Sequence, residues 1–307
     1  MQRPDPAPAP ADGLAPSLAE LVALRALAAG RRGAARGAVG TLGQAPAHLR
    51  GRGMEYAESR EYARGDDARH IDWRLTARSG RPHTKLFQAE RERLTLVVAD
   101  TAPALYFGTR VRFKSVQAAR AGALAAWIGA RDGDRLAALR GSRGEPPVPP
   151  ASGERGALRV LDALVRWYAA PPADDAGLPA ALDHAARLLR PGSRLVLLAD
   201  PASLDAVPAA RWPALAMHHE VVALLLVDPL ETAPPPARLA FRTGDARLEL
   251  ALDAAATRQR WQREFGGRTE AGLALLAAHG IRAAALSSAD PSDAWLPLLD
   301  RPRGARR

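Results

Sequence analysis

Three short segments of the chain are continuously apolar, and each of them ends at an aspartate. They occupy residues 94–100, 195–200 and 221–228. Apolar runs of this length, without polar alternation, are typical of strands that are buried on both faces of a parallel sheet. Helical patterns are interleaved with them at residues 114–130, 157–168 and 178–190. This alternation predicts βαβ crossovers and a doubly wound, mostly parallel α/β sheet.

Further elements complete the predicted α/β domain, which we place at residues 94–290. Residues 134–139 and 281–287 are predicted to form strands, and residues 237–250 a hairpin. The proline- and glycine-rich residues 141–154 are predicted to form a loop.

Three aspartates follow the apolar runs and are expected at one edge of the sheet. Asp100, Asp200 and Asp228 each stand at the carboxyl end of a predicted strand, where α/β sheets bind their ligands. An aspartate after a strand more often caps a helix or makes a turn. The sequence therefore leaves open whether any of the three faces a ligand.

The two ends of the chain show simpler patterns. The proline-rich residues 1–16 are predicted to be a disordered tail. A helix begins at the capping-box pattern of Ser17 and Glu20, and a basic, glycine-rich linker continues to residue 49. Residues 291–307 are predicted to hold a C-terminal helix and a basic tail. Without a signal peptide or an apolar run of about 20 residues, the chain is predicted to be cytoplasmic.

Residues 50–93 concentrate opposed charges and are predicted to form a small β-rich subdomain ahead of the sheet. Alternating patterns predict strands at residues 54–62 and 82–92. Between them, residues 68–78 are predicted to form a short helix that ends at Gly80.

This subdomain has two interpretations. Gly65 is expected to make the turn before the short helix, and Asp66 or Asp67 to cap it. In the structural interpretation the arginines and carboxylates form a salt-bridge network with Trp73 as its hydrophobic anchor. In the functional interpretation they form a recognition face for a partner.

The spacing of residues in this subdomain resembles the signature of the "domain of unknown function 58" family. Gly53 to Arg78 reads G-x-E-x-x-x-x-R-x-Y-x-x-G-D-D-x-R-x-I-D-W-x-x-x-A-R, and the segments at 80–92 and 107–119 continue the likeness. The resemblance implies a von Willebrand factor A-like domain that acts with MoxR-type AAA+ ATPases and has no established catalytic activity. The residues that form this signature, and that are the candidates for partner binding, are Arg60, Tyr62, Gly65, Asp66, Asp67, Arg69, Asp72, Trp73 and Arg78.

The resemblance also implies a metal-ion-dependent adhesion site, which is degenerate in this chain. Asp100 and Asp200 match its two aspartates, but Ala102 and Ala104 replace its two serines. Two aspartates at positions 174–175 stand where a threonine is expected. Mg²⁺ requires six oxygen ligands, so we expect no cofactor at this site. Mg²⁺ would bind only if water and the aspartates at positions 174–175 complete its coordination shell.

Composition and the remaining motifs reduce the number of function classes that fit this chain. The 307 residues carry a net charge of +10 and no cysteine, but the arginines are scattered and aromatic residues are sparse, so we expect no nucleic-acid partner. The segment 108–115 departs from a phosphate-binding loop because Phe113 replaces the glycine that precedes its lysine. His70, Asp72 and the nearby His83 are residue types that can bind a metal ion, so a metal site here is an alternative.

We therefore expect a non-enzymatic protein-binding adaptor or scaffold that works with a MoxR-type AAA+ ATPase. The alternative is a divalent-metal-dependent hydrolase that uses the Asp100 and Asp200 crevice together with His70 or His83.

Overall fold

The computed structural model describes residues 13–30, 54–63, 66–89, 93–243 and 246–300, which fall into two compact units. The small unit holds the described residues between 54 and 89, and the large unit holds the others. The strands are β1 (Met54–Glu61), β2 (His83–Ala89), β3 (Leu94–Ala99), β4 (Arg135–Arg140), β5 (Val148–Ser152), β6 (Arg194–Ala199), β7 (Glu220–Val227), β8 (Arg238–Thr243), β9 (Ala246–Ala251) and β10 (Arg282–Ser287). The helices are α1 (Leu18–Ala23), α2 (Arg25–Ala29), α3 (Trp73–Ser79), α4 (Lys114–Arg131), α5 (Gly153–Tyr168), α6 (Gly177–Leu188), α7 (Arg211–His218), α8 (Pro229–Thr232), α9 (Ala255–Gln262) and α10 (Arg268–Ala278).

The large unit is built on a six-stranded sheet with the order β5-β4-β3-β6-β7-β10. All neighbouring strands are parallel except β5, which runs antiparallel to β4 at the edge. The chain builds the sheet outward from β3 in one direction and from β6 in the other, so the strand order reverses between them. The predicted α/β fold with a mostly parallel, doubly wound sheet is confirmed.

Both faces of this sheet are covered, which explains the uninterrupted apolar runs. Along β3, Val97 and Ala99 pack toward α4 and α5, whereas Leu96 and Val98 pack with the apolar side of α6 and with Trp212 of α7. Because successive strand residues point to opposite faces, both sides of the strand are buried, and Thr95 is the one polar side chain within β3.

Helix α4 lies at the centre of one layer. It contacts the sheet, α5 and the N-terminal helices α1 and α2, so it is buried around almost its whole circumference. The indole of Trp127 donates a hydrogen bond to the carbonyl of Leu21 at 3.0 Å, and Leu24 is buried in the same core. The predicted N-terminal helix is therefore part of the large unit, divided into α1 and α2.

The prediction of a loop at residues 141–154 is wrong for its second half. Residues Val148–Ser152 form β5, with Leu136 opposite Ala151 and Ala138 opposite Val148. The register shifts between these pairs, where two prolines lie. An edge strand tolerates proline because one side of its backbone needs no hydrogen bond from the sheet.

Other predictions are met in part. The strands of the predicted hairpin at 237–250 are β8 and β9, which pair antiparallel up to Thr243 and Ala246; the turn between them lies outside the described residues. The predicted C-terminal helix is, in its described part, only a 3-10 turn at Leu296–Leu299. None of the described helices is both long and apolar enough to cross a membrane.

The small unit is an antiparallel pair of strands with short helical elements between them. Strands β1 and β2 pair from Glu61 with His83 to Met54 with Ala89, as predicted. The predicted short helix is divided into a 3-10 turn at Ala68–His70 and helix α3. Helix α3 ends as predicted at Gly80, whose φ of 73° is readily adopted only by glycine.

Candidate functional site

The three aspartates after the apolar runs lie at one edge of the large unit's sheet. Asp100 follows β3, Asp200 follows β6 and Asp228 follows β7, and these three strands are neighbours. Asp100 is 1 % exposed, Asp200 is 5 % exposed and Asp228 is fully buried. The edge is therefore assembled from the predicted residues, but its carboxylates are closed off from solvent.

The carboxylate of Asp100 is held by neighbouring backbone. Its two oxygens accept hydrogen bonds from the amides of Ala102 at 3.0 Å and Asp200 at 2.9 Å. Burial raises the pKa of Asp100 to about 6, and hydrogen bonds from Ser203 and from these amides offset part of that effect. The residue joins the loops after β3 and β6, on either side of the reversal in strand order.

Asp200 forms an ion pair with a buried lysine. The ammonium of Lys114, the first residue of α4, donates to Asp200 Oδ2 at 2.7 Å and to Glu231 Oε1 at 2.6 Å. Lys114 is only 1 % exposed. Burial alone would lower the pKa of Lys114, but the charges of Asp200 and Glu231 outweigh burial and raise it. The lysine therefore remains an ammonium inside the protein.

The second oxygen of each partner of Lys114 is also occupied. Asp200 Oδ1 accepts the amide of Ala202 at 2.9 Å and caps the 3-10 turn that follows. Glu231 Oε2 accepts the amide of Asp228 at 2.8 Å in a capping box at the start of α8. Burial raises the pKa of Glu231, and Lys114 opposes only part of that rise.

Asp228 has a structural role as a hydrogen-bond acceptor. It accepts from Thr109 through both the amide at 3.0 Å and the hydroxyl at 2.5 Å. It also accepts from Ser288 Oγ at 2.6 Å and from the amide of Leu230 at 2.9 Å. Burial alone would raise the pKa of Asp228, but these donors outweigh burial and lower it. This carboxylate fixes three segments rather than facing a ligand.

The two aspartates between α5 and α6 point to different partners. Asp175 Oδ1 accepts the hydroxyl of Thr101 at 3.0 Å, which connects it to the loop after β3. Asp174 accepts from Ser142 and, at 2.7 Å, from Arg140 Nη2. These two donors lower the pKa of Asp174 to about 2.

A metal-ion-dependent adhesion site does not fit these residues. Ala102 and Ala104 supply no side-chain oxygen, and backbone amides or Lys114 already occupy the oxygens of Asp100 and Asp200. Within the part of the chain that the structure describes, no group of three or more acidic or histidine side chains is arranged to hold a metal ion. We derive no chemistry from a metal here.

A phosphate would also be repelled at this edge. The lysine of the segment 108–115 is the residue that would contact a phosphate in such a loop, but its ammonium already pairs with two carboxylates. Phe113 stands at the position before α4, where it is partly buried.

The signature residues of the small unit form local pairs. Arg60 donates to Asp66 at 2.6 Å, and the hydroxyl of Tyr62 donates to the Asp66 carbonyl at 3.1 Å. Arg69 pairs with Asp67 at 2.9 Å, and this arginine lowers the pKa of Asp67 to about 2. These described pairs join near neighbours in sequence at exposed or half-buried positions, which does not match the structural interpretation of one salt-bridge network.

Asp72 and Trp73 do not have the positions that the structural interpretation gives them. Asp72 caps α3 by accepting the amide of Leu75 at 3.1 Å, and it accepts the hydroxyl of Ser59 at 3.1 Å. Trp73 is 70 % exposed, so the prediction that it anchors the subdomain is wrong. Arg78 is exposed on the same helix, and Gly65 lies outside the described residues.

His70 and His83 lie in the small unit, whereas the aspartates of the sheet edge lie in the large unit. His83 Nδ1 is 2.8 Å from the carbonyl of Arg81 and 3.2 Å from the hydroxyl of Ser79. These contacts tie the ring to its own turn.

Lys114 and Glu231 are the residues that the sequence interpretation missed. Two signals were present. Among 43 basic residues, Lys85 and Lys114 are the only lysines, and Asp228 with Glu231 has the spacing of a capping box. Neither signal indicates that α4 and α8 meet at the same edge, because that depends on the order of β6 and β7 in the sheet.

Comparison with known proteins identifies a family. The family model described as "Protein of unknown function DUF58" matches residues 58–270. Uncharacterized proteins of Mycobacterium bovis and Mycobacterium tuberculosis are 32 % identical over 190 residues. That match covers 60 % of this chain and 58 % of each relative, so the chain spans little more than half of their length. No solved structure matches the chain. The chain belongs to the DUF58 family.

Proposed function

We propose that this DUF58 chain is a non-enzymatic protein-binding adaptor or scaffold that works with a MoxR-type AAA+ ATPase. In this proposal the large unit is a von Willebrand factor A-like domain with a degenerate metal-ion-dependent adhesion site, and the small unit supplies the contact surface.

The strand order supports the first part of the proposal. In sequence order the sheet strands of the large unit are arranged 3-2-1-4-5-6, with the third strand antiparallel at the edge. Asp100 follows the first of these strands and Asp200 the fourth. These are the two places at which the resemblance puts the aspartates of an adhesion site.

The exposed tryptophan of the small unit supports the second part of the proposal, that this unit supplies the contact surface. Trp73 is the first residue of α3 and leaves 70 % of its surface open. Tryptophan and arginine are the residues that most often dominate binding energy at protein interfaces. If a partner covers Trp73, burial of roughly 150 Å² of apolar surface stabilises the complex by about 4 kcal/mol before ordering costs.

Exposed arginines on the same helix as Trp73 indicate the charge of the partner. Arg74 and Arg78 are exposed on α3 and lie four residues apart, on one side of the helix. Neither forms an ion pair with any side chain that the structure describes, whereas Arg69 and Arg81 pair with Asp67 and Glu61. A short helix that carries an exposed tryptophan and two exposed guanidinium groups favours an acidic partner.

The geometry of the sheet edge gives no support to the hydrolase alternative. A catalytic carboxylate must reach its substrate, but Asp100 and Asp200 are nearly inaccessible and already hydrogen-bonded. Lys114 also forms an ion pair with the Asp200 carboxylate that a metal ion would need as a ligand.

The test is capture of partners by the tagged full chain from its native lysate, with identification by mass spectrometry. We expect an AAA+ ATPase in the captured fraction. Trp73→Ala should reduce its recovery about 30-fold, the equivalent of 2 kcal/mol. Arg74→Glu combined with Arg78→Glu should reduce it as well, and more strongly at low salt.

Met217→Ala is the matched control. Met217 is 73 % exposed on α7 of the large unit, so it removes a comparable exposed apolar side chain from a different surface. Recovery of no AAA+ ATPase under any condition would overturn the adaptor proposal. Equal recovery with Trp73→Ala and Met217→Ala would remove the assigned contact surface, and a large drop in Tm for Trp73→Ala would assign the tryptophan to the fold.

A further inference from the structure

The sheet edge of the large unit does not fit a metal site because a lysine side chain lies where a metal ion would bind. Where a divalent cation would neutralise carboxylates, the large unit places an ammonium. Lys114 Nζ lies 2.7 Å from Asp200 Oδ2 and 2.6 Å from Glu231 Oε1. These carboxylates follow β6 and β7, two neighbouring strands, so their oxygens converge on one point from two segments of the chain.

The position of the ammonium has the properties of a cation site. It is enclosed, because Lys114 is almost fully buried, and the other oxygens of both carboxylates are fixed by the amides of Ala202 and Asp228. Rigid backbone contacts therefore aim one oxygen of Asp200 and one of Glu231 at the same place. The carboxylate of Asp100 is adjacent, since it accepts the amide of Asp200.

We infer that Lys114 is a built-in cation that replaces a divalent ion at this edge, and that removal of its amine opens a Ca²⁺ or Mn²⁺ site between Asp200 and Glu231. Both ions prefer carboxylate oxygens. Oxygens that converge at 2.6–2.7 Å around the ammonium need only a small inward shift to reach Ca²⁺ distances of about 2.3–2.6 Å. Water would complete the shell in the space that the lysine side chain leaves.

This inference does not rest on the adaptor function, because it concerns only the charges inside the large unit. It makes two opposite predictions. The natural chain should be indifferent to divalent ions, since the ammonium already occupies the point on which the two carboxylates converge. A chain without the amine should depend on them, because two buried carboxylates without a counter-charge are strongly unfavourable.

The test compares thermal unfolding of Lys114→Ala and Lys114→Met in EDTA, millimolar Ca²⁺ and millimolar Mn²⁺. Both variants should melt below the natural chain in EDTA. Ca²⁺ or Mn²⁺ should raise the Tm of Lys114→Ala by roughly 5 °C at saturation. Lys114→Met should gain nothing, because its side chain removes the charge but still fills the space.

Two further variants act as controls. Lys85→Ala removes the other lysine, in the small unit, and should respond to divalent ions no more than the natural chain does. Lys114→Ala with Glu231→Gln removes one of the two converging carboxylates and should lose the response to Ca²⁺.

The outcomes decide the inference. Refolding of Lys114→Ala only when Ca²⁺ or Mn²⁺ is added would support it, even if that variant is unfolded in EDTA. A Lys114→Ala chain with the same Tm or the same failure to refold in EDTA and in both ions would overturn it. A natural chain whose Tm rises in Ca²⁺ or Mn²⁺ would also overturn it, since its edge would then hold a metal beside the lysine.

Discussion

We expect the buried carboxyl of Asp100 to make the protein more stable at pH 4 than at pH 7. Burial raises its pKa to about 6, whereas an aspartate in an unfolded chain has a pKa of about 3.9. Between these values the folded protein keeps a proton that the unfolded chain has released. The free energy of unfolding therefore falls as the pH rises through this window. A difference of about 2 pKa units corresponds to about 3 kcal/mol.

Asp100→Asn isolates this contribution, because asparagine does not ionise. The free energy of unfolding should be measured for both proteins by urea denaturation, followed through tryptophan fluorescence, at intervals from pH 4 to pH 7. Other carboxyls titrate in both proteins and cancel in the difference. The natural chain should lose about 2 kcal/mol relative to Asp100→Asn across this range, because at pH 4 an aspartate of the unfolded chain is already about half ionised.

Asp228→Asn, measured at pH values that extend below pH 4, supplies a control of opposite sign. The pKa of Asp228 is lowered by its hydrogen bonds to Ser288 and Thr109. Its stabilisation is therefore present above the ordinary range of an aspartate and is lost as the pH falls below that range. A difference curve for Asp100→Asn that is flat between pH 4 and pH 7, or that rises with pH, would refute the assignment of a buried, hard-to-ionise carboxyl.

Three further substitutions test how individual side chains contribute to stability. Asp72→Ala should lower the Tm by roughly 2–4 °C because it removes the cap of α3. Arg69→Ala should leave the Tm unchanged because its ion pair with Asp67 is exposed. Equal losses of Tm in the two variants would instead support the structural interpretation of one salt-bridge network. Tyr168→Phe should cost about 1 kcal/mol in urea denaturation, because the buried Tyr168 hydroxyl donates to the Asp100 carbonyl at 3.0 Å; no loss would mean that water replaces the hydroxyl.

The hydrophobic pattern of the sequence predicts those strands and helices that are buried evenly along their length. Strands β3, β6 and β7 are buried on both faces, so their apolar runs mark them directly. Strand β5 lies at an edge and contains two prolines, and its composition resembles a loop because half of its backbone makes no contact with the sheet. Helix α9 is missed for a related reason, since none of its residues is buried and no apolar stripe marks it.

The candidate site is predictable only as far as the positions of the strand ends determine it. The strand ends place Asp100, Asp200 and Asp228 at the sheet edge by topology alone. The pairing of Lys114 with Glu231 joins residues more than a hundred positions apart, and no local pattern can indicate such a pair. In the small unit the charges were visible in the sequence, but their density suggested one network, whereas each described pair joins residues that are close in sequence or across the strand pair.

Burial separates the roles of the two charged regions. At the sheet edge Lys114 is enclosed with its carboxylates, so its charge is cancelled inside the large unit and contributes little to the field outside. In the small unit the ion pairs are open to water and contribute little to stability, while Arg74 and Arg78 are exposed on the same helix as Trp73. A partner that covers this helix would desolvate the tryptophan and the two arginines together, and that is the arrangement in which such residues contribute most to binding. The buried charges of the sheet edge therefore serve the cohesion of the large unit, and recognition is expected at α3.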